Sequence, residues 1–130
     1  MIPVLAGGGT RLPAHVGILT ALERMDYEID HLVGVSGGSI VASLYACGHS
    51  TDYIKDLAIN VDFRQFRGFS LPKLLFSGGL STGERFEKWL DRQLGGATFA
   101  DLKRRLHVVA TDVRSGQPVI FDAETAPDFR

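Results

Sequence analysis

The chain is poor in several features that would otherwise announce a compartment or a partner. Cys47 is its single cysteine, so no internal disulfide can form. No apolar run approaches the roughly 20 residues that a bilayer-spanning helix requires. The opening residues, Met1 to Ala6, carry no basic flank of the kind that begins a secretory signal. Net charge is nearly absent: 14 Lys and Arg against 15 Asp and Glu leave −1 at neutral pH, which removes bulk attraction to nucleic acid. No repeat, low-complexity tract or linker breaks the 130 residues. The expectation is one domain with a real core, in a reducing cytoplasmic setting, with no nucleic-acid partner and an open oligomeric state.

Glycine, by contrast, is plentiful and clustered. Gly7-Gly8-Gly9, Gly34, Gly37-Gly38, Gly78-Gly79 and Gly95-Gly96 account for most of the 15. Such clusters mark tight turns or places where backbone must approach something closely. The first two follow apolar runs and precede helical patterns. Ile2 to Ala6 reads as a short buried strand. Pro13 suits a first helical turn, where its missing N–H costs nothing, and Val16, Leu19, Leu22 and Met25 continue at helical spacing. Asp30 to Val35 reads as a second strand, and Ile40, Val41, Leu44 and Tyr45 mark a helix ending at Gly48. Ser50 is a candidate cap for a helix with Ile54, Leu57, Ala58 and Val61 on its apolar face. Ser81 and Glu84 have capping-box spacing ahead of Phe86, Trp89, Leu90 and Leu94. Thr98 and Asp101 suggest a short turn. Leu106 to Thr111 and Pro118 to Phe121 read as strands joined through Arg114-Ser115-Gly116. Alternating strands and helices with right-handed crossovers predict an α/β fold, a sheet layered by helices.

Gly34-Val35-Ser36-Gly37-Gly38 has the G-x-S-x-G spacing of a nucleophile elbow, between a strand and a helix. A serine at such a turn is held with its Oγ clear of the backbone. The helix that follows brings N–H groups, that of Gly37 included, beside any oxyanion that develops. Ser36 is therefore the candidate catalytic nucleophile. The earlier loop, Gly7-Gly8-Gly9-Thr10-Arg11, fits a dinucleotide fingerprint poorly, because Leu12 stands where the third glycine is needed. A phosphate loop would need Gly-Lys-Ser/Thr, which is absent. Consecutive glycines instead suit an oxyanion hole, and parallel neighbouring strands would bring both loops to one sheet edge.

Together, Gly-Gly-Gly-x-Arg, His15-Val16-Gly17-Ile18-Leu19, Gly-x-Ser-x-Gly-Ser and Leu44-Tyr45-Ala46-Cys47-Gly48 resemble a bacterial patatin-like phospholipase. Ala110-Thr111-Asp112, followed by Gly116 and Phe121, is similar to that family's next strand pair. The resemblance implies a three-layer α/β fold with a mostly parallel sheet and helices on both faces. It also implies a lipid acyl hydrolase working through a Ser-Asp dyad. Ser36 matches the nucleophile, and Gly7, Gly8, Gly9 and Arg11 match the oxyanion loop. Leu12 replaces the glycine usual there. A lipid or ester substrate and peripheral membrane contact follow, with no cofactor and no metal.

One part of that machinery is missing. A serine hydroxyl needs a base, and the family's base is the aspartate of an Asp-Gly-Gly or Asp-Gly-Ala motif. This chain contains no Asp-Gly dipeptide. Asp112 matches a position other than the dyad and reads as a turn or strand-end group; Asp122 and Asp128 have no motif context. Among the histidines, His15 reads as a hydrogen-bonder packing the glycine loop, while His31, His49 and His107 do not follow the elbow in triad order. Residues 1–130 are thus expected to form the N-terminal portion of a domain incomplete at its C-terminal end, with little activity alone. The alternatives are a non-catalytic lipid- or partner-binding remnant and, less favoured, a nucleotide-binding module. Phe63, Phe66, Phe69 and Phe76, interleaved with Arg64, Arg67 and Lys73, suggest either ordinary core or a lipid-contacting flap, with core favoured.

Overall fold

A computed structural model describes residues 1–7, 12–61 and 80–129, with side chains left out at 80–83. Gly8, Gly9 and Arg11 of the first glycine loop lie outside the described residues. So do the aromatic and basic residues between Phe63 and Phe76.

The element order is β1 (Val4–Leu5), α1 (Pro13–Arg24), β2 (His31–Val35), α2 (Gly38–Cys47) and α3 (Thr51–Asn60). It continues with α4 (Leu80–Leu94), a 3-10 turn (Phe99–Asp101), β3 (Arg105–Thr111) and β4 (Pro118–Phe121). Among the described residues, four strands form one mixed sheet in the order β1-β2-β3-β4. The first three are parallel, with Val4 opposite Val33 and Val33 opposite His107. β4 returns antiparallel to β3, with Val108 opposite Phe121, as the short Arg114-Ser115-Gly116 connection requires. β1 is shorter than the apolar run that announces it, only two residues being paired.

Helix α2 lies directly on the sheet, touching β1, β2 and β3, and α1, α3 and α4 pack around it. Its sequence, GSIVASLYAC, has little polar surface, and Val41, Ala42, Leu44, Tyr45 and Ala46 are all buried. That suits a helix enclosed on several sides. Leu5, Leu32 and Leu106 meet it from the sheet, with Val16 and Leu19 from α1 and Ile54 from α3. Gly34 lets helix and strand close: a Cβ there would sit 2.6 Å from the Cα of Ser39. The opposite sheet face is more open, and Val4 and Ile120 are exposed there.

The caps follow local chemistry. Ser50 Oγ accepts the Tyr53 N–H at 3.2 Å, and Pro13 opens α1. Gly48, at φ +102°, closes α2, a left-handed C-cap that few other residues adopt without strain. Thr98 and Asp101 form a complete capping box. α4 runs over Leu80–Leu94, so Ser81 is a helical residue and not at the position before the helix that its spacing with Glu84 suggests. Behind α2, Glu23 accepts hydrogen bonds from Tyr45 Oη (2.8 Å) and Thr51 Oγ1 (2.9 Å), tying α1, α2 and α3 together. Burial, then the bond to Glu23, pushes the Tyr45 phenol up to about 12. Arg104 covers the Tyr45 ring at 4.2 Å and donates to its carbonyl.

Candidate functional site

Ser36 occupies the single step between β2 and α2. Its φ is +52°, the left-handed region, while Gly37 and Gly38 have already turned helical. A non-glycine residue held there costs on the order of 1–3 kcal/mol, and the surroundings must impose it. They do so tightly. Ser39 donates to the Ser36 carbonyl from both its N–H (3.0 Å) and its Oγ (2.5 Å). A Cβ on Gly38 would fall 2.0 Å from the Leu5 carbonyl oxygen, so the start of α2 presses on the end of β1. The serine side chain stays exposed.

The first turn of α2 has no acidic residue, and no side chain caps it. The Ser39 and Ile40 N–H groups already donate to the Ser36 and Gly37 carbonyls, so those of Gly37 and Gly38 carry the positive potential of this helix end beside Ser36. Gly7, leaving β1, comes in from the neighbouring strand. A Cβ on it would lie 3.1 Å from Ser36 Cβ and 3.2 Å from Ser36 Oγ. Leu12 adopts an ordinary helical conformation and lays its side chain over Gly37, whose Cβ would be 2.9 Å away. Glycine's freedom is therefore not needed at position 12. His15, in the first turn of α1, contacts the Ala6 carbonyl through Nε2 at 2.8 Å. Gly7, Gly34, Val35, Ser36, Gly37 and Gly38 thus converge at the carboxyl ends of β1 and β2, the edge where open α/β sheets place their sites.

That architecture agrees with known proteins. The model of the patatin-like phospholipases matches residues 4–130. The chain belongs to the patatin-like phospholipase family. It is 26% identical to the Bacillus subtilis protein YqhO over 95% of its own length and 47% of that protein. With lysophospholipase NTE1 of Pyricularia oryzae it shares 29% identity over 90% of its length, but only 8% of the fungal protein. In fold it matches the full-length Pseudomonas aeruginosa type III secretion protein ExoU, solved in complex with SpcU. The TM-score is 0.74 at 23% identity, covering all of this chain and 36% of ExoU. The chain spans about half the length of YqhO, about a third of ExoU and under a tenth of the fungal protein.

The three late aspartates of this patatin-like chain, Asp112, Asp122 and Asp128, lie elsewhere or are occupied. Asp112 stands at the same edge, just past β3, but its carboxylate accepts the Arg114 N–H (2.9 Å) and the Ser115 hydroxyl (2.8 Å). Those bonds, the first above all, hold it below the usual carboxylate range. It is a turn residue, as its position suggests. Asp128 is exposed near the terminus. Asp122 behaves differently from what its lack of motif implies. It is buried at 8% exposure, and its Oδ1 accepts the N–H groups of Glu124 (2.9 Å) and Thr125 (2.8 Å) and the Thr125 hydroxyl (3.0 Å). Its Oδ2 meets His107 Nδ1 at 2.9 Å. The Thr125 N–H is the largest of the influences that lower it to about 2. His107 is opposite Val33, so this pair sits about 10 Å back along the strands from Ser36.

The His31 ring packs on His107 with centroids 4.7 Å apart, and its Nε2 is buried without a partner among the described residues. Burial, then the nearby charges of His107 and Arg105, lowers its pKa. The Asp-x-x-Thr spacing at Asp122 was the local sign of this cluster; its histidines carried none. His49 is bound to the Gln93 carbonyl (2.7 Å), away from the elbow. No helix among the described residues is long and apolar enough to cross a membrane, and no group of three or more His, Cys, Asp or Glu is placed among them to hold a metal.

Proposed function

We propose that this chain carries the nucleophile half of a lipid acyl hydrolase, with Ser36 attacking an ester carbonyl. The observation that carries this reading is the conformation of Ser36. The residue is strained, exposed and set at an uncapped helix N-terminus, with Gly7 against its Oγ. Such a serine is poised for attack, and we assign the Gly37 and Gly7 amides to the oxyanion, with Gly8, Gly9 and Arg11, which lie outside the described residues, as the further members of the hole. Family membership and the name of the related lysophospholipase favour a lipid ester as substrate, met at a membrane surface.

The base is an aspartate supplied from outside residues 1–130, completing a Ser-Asp dyad. Two facts support this: the chain has no Asp-Gly dipeptide, and the carboxylates of Asp112 and Asp122 are already engaged by other donors. The test compares residues 1–130 with a longer protein in which the chain continues past Arg130, using a fluorophosphonate label and a p-nitrophenyl ester. The longer protein is labelled at Ser36 and hydrolyses the ester, Ser36→Ala abolishes both, and the 130-residue chain is nearly inert. Robust Ser36-dependent hydrolysis by the 130 residues alone would overturn the external base. No labelling of the longer protein would instead favour a binding remnant of the same fold.

A further inference from the structure

Gly7 approaches Ser36 as a bare backbone, and a glycine amide is the easiest kind to turn. Lacking a Cβ, Gly7 can take either sign of φ at little cost, so the Ala6–Gly7 peptide could rotate and carry its N–H away from the serine. The structure holds that peptide from its other side. His15 Nε2 lies 2.8 Å from the Ala6 oxygen. A carbonyl only accepts, so Nε2 carries the proton and donates it. The same oxygen is confined on a second flank by Gly38, where a Cβ would come within 2.5 Å of it. The described residues contain no cis peptide, so the Gly7 N–H points opposite to the Ala6 carbonyl. Among the described residues that N–H has no acceptor within the protein.

From this we infer that His15 is a positioning residue for the reaction at Ser36: by gripping the Ala6 carbonyl, it aims the unpaired Gly7 N–H at the oxyanion. The inference rests on the acyl-hydrolase reading for its catalytic half and on the geometry alone for its structural half. A histidine suits the task. Its stiff ring reaches from the first turn of α1 to the exit of β1, and the bond links residues nine apart in sequence that different elements carry. Ring packing alone would not require an N–H at this position, whereas control of the peptide does.

The experiment uses His15→Phe and His15→Gln in the 130-residue chain and in the form that continues past Arg130, with two readouts. The first is the Gly7 amide resonance in a ¹H–¹⁵N spectrum, which needs no activity. The second is the rate of Ser36 phosphonylation, divided into binding and inactivation steps. His15→Phe should move the Gly7 resonance and slow the inactivation step by about 10- to 100-fold, the scale of a small misplacement in an active site, with binding of the probe unchanged. His15→Gln, which keeps an N–H donor, should restore most of both. If His15→Phe unfolds the protein, His15→Ala asks the same question with a smaller side chain. An unmoved Gly7 resonance, or a wild-type inactivation rate in the folded non-donor variant, overturns the proposal. An unlabelled wild type with a Gly7 resonance that follows His15 defeats the hydrolase reading and upholds the grip of His15 on the loop.

Discussion

Strand β2 ends in two contrasting environments. At its exit, Ser36 is held at φ +52°, exposed, beside a Gly7 N–H that has no acceptor among the described residues, and with no carboxylate in the first turn of α2. At its entrance, His31 packs at a tilt against His107, which is paired to an Asp122 carboxylate that accepts from four donors. One end stores strain and leaves donors open to solvent. The other spends nearly every polar group on its neighbours, the His31 Nε2 being the exception. Open donors and strain are what a reacting site keeps ready; satisfied pairs are what holds a sheet in register. A His-Asp pair by itself resembles catalytic machinery, and here the contrast with the serine end shows it to be scaffold.

The strongest way to break the contrast is to block the serine end. Gly38→Ala forces a Cβ to 2.0 Å from the Leu5 carbonyl, a backbone atom that cannot swing aside. A loss of about 3 kcal/mol, at the upper end for overpacking, is expected in denaturant unfolding, together with loss of Ser36 labelling. An unchanged midpoint would mean that β1 and α2 can separate freely. A smaller effect of opposite sign comes from Ser36→Gly, which removes the left-handed strain. It should stabilise the fold by about 1 kcal/mol while ending reactivity. Equal or lower stability would show that Ser36 is not strained as its φ indicates.

The smallest effect probes the entrance. His31 titrates near 6.5 when unfolded and lower in the fold, so between those values the unfolded chain binds more protons and stability declines as pH falls. Asp122 acts in a lower window. Its contribution is present above pH 3.8 and is lost as pH falls toward about 2. Melting temperatures should therefore decrease from pH 7.5 to 5.5, and His31→Phe should flatten that slope while leaving Ser36 labelling intact. A variant with the wild-type slope would place the proton sensitivity elsewhere.

Much of the serine end is legible in the amino-acid sequence. The G-x-S-x-G run between an apolar strand and a small-residue helix, the Ser50 and Thr98 caps, and Gly48 at a helix end are all short-range chemistry, where residues a few places apart make the feature between themselves. The entrance cluster was not legible. His31, His107 and Asp122 come together only because β2 and β3 pair in parallel, with Val33 opposite His107, and β4 folds back beside them. No local pattern encodes that register.

The residues alone decided the family, the alternation of strands and helices and the identity of the candidate nucleophile, because each rests on contacts between near neighbours along the chain. Tertiary packing decided which polar groups would be free. It pressed Gly7 and Gly38 against their neighbours, gave the Ala6 carbonyl to His15 and paired Asp122 with His107. Those outcomes depend on the distances between elements far apart in sequence, which only the closed sheet and the helix laid on it can set.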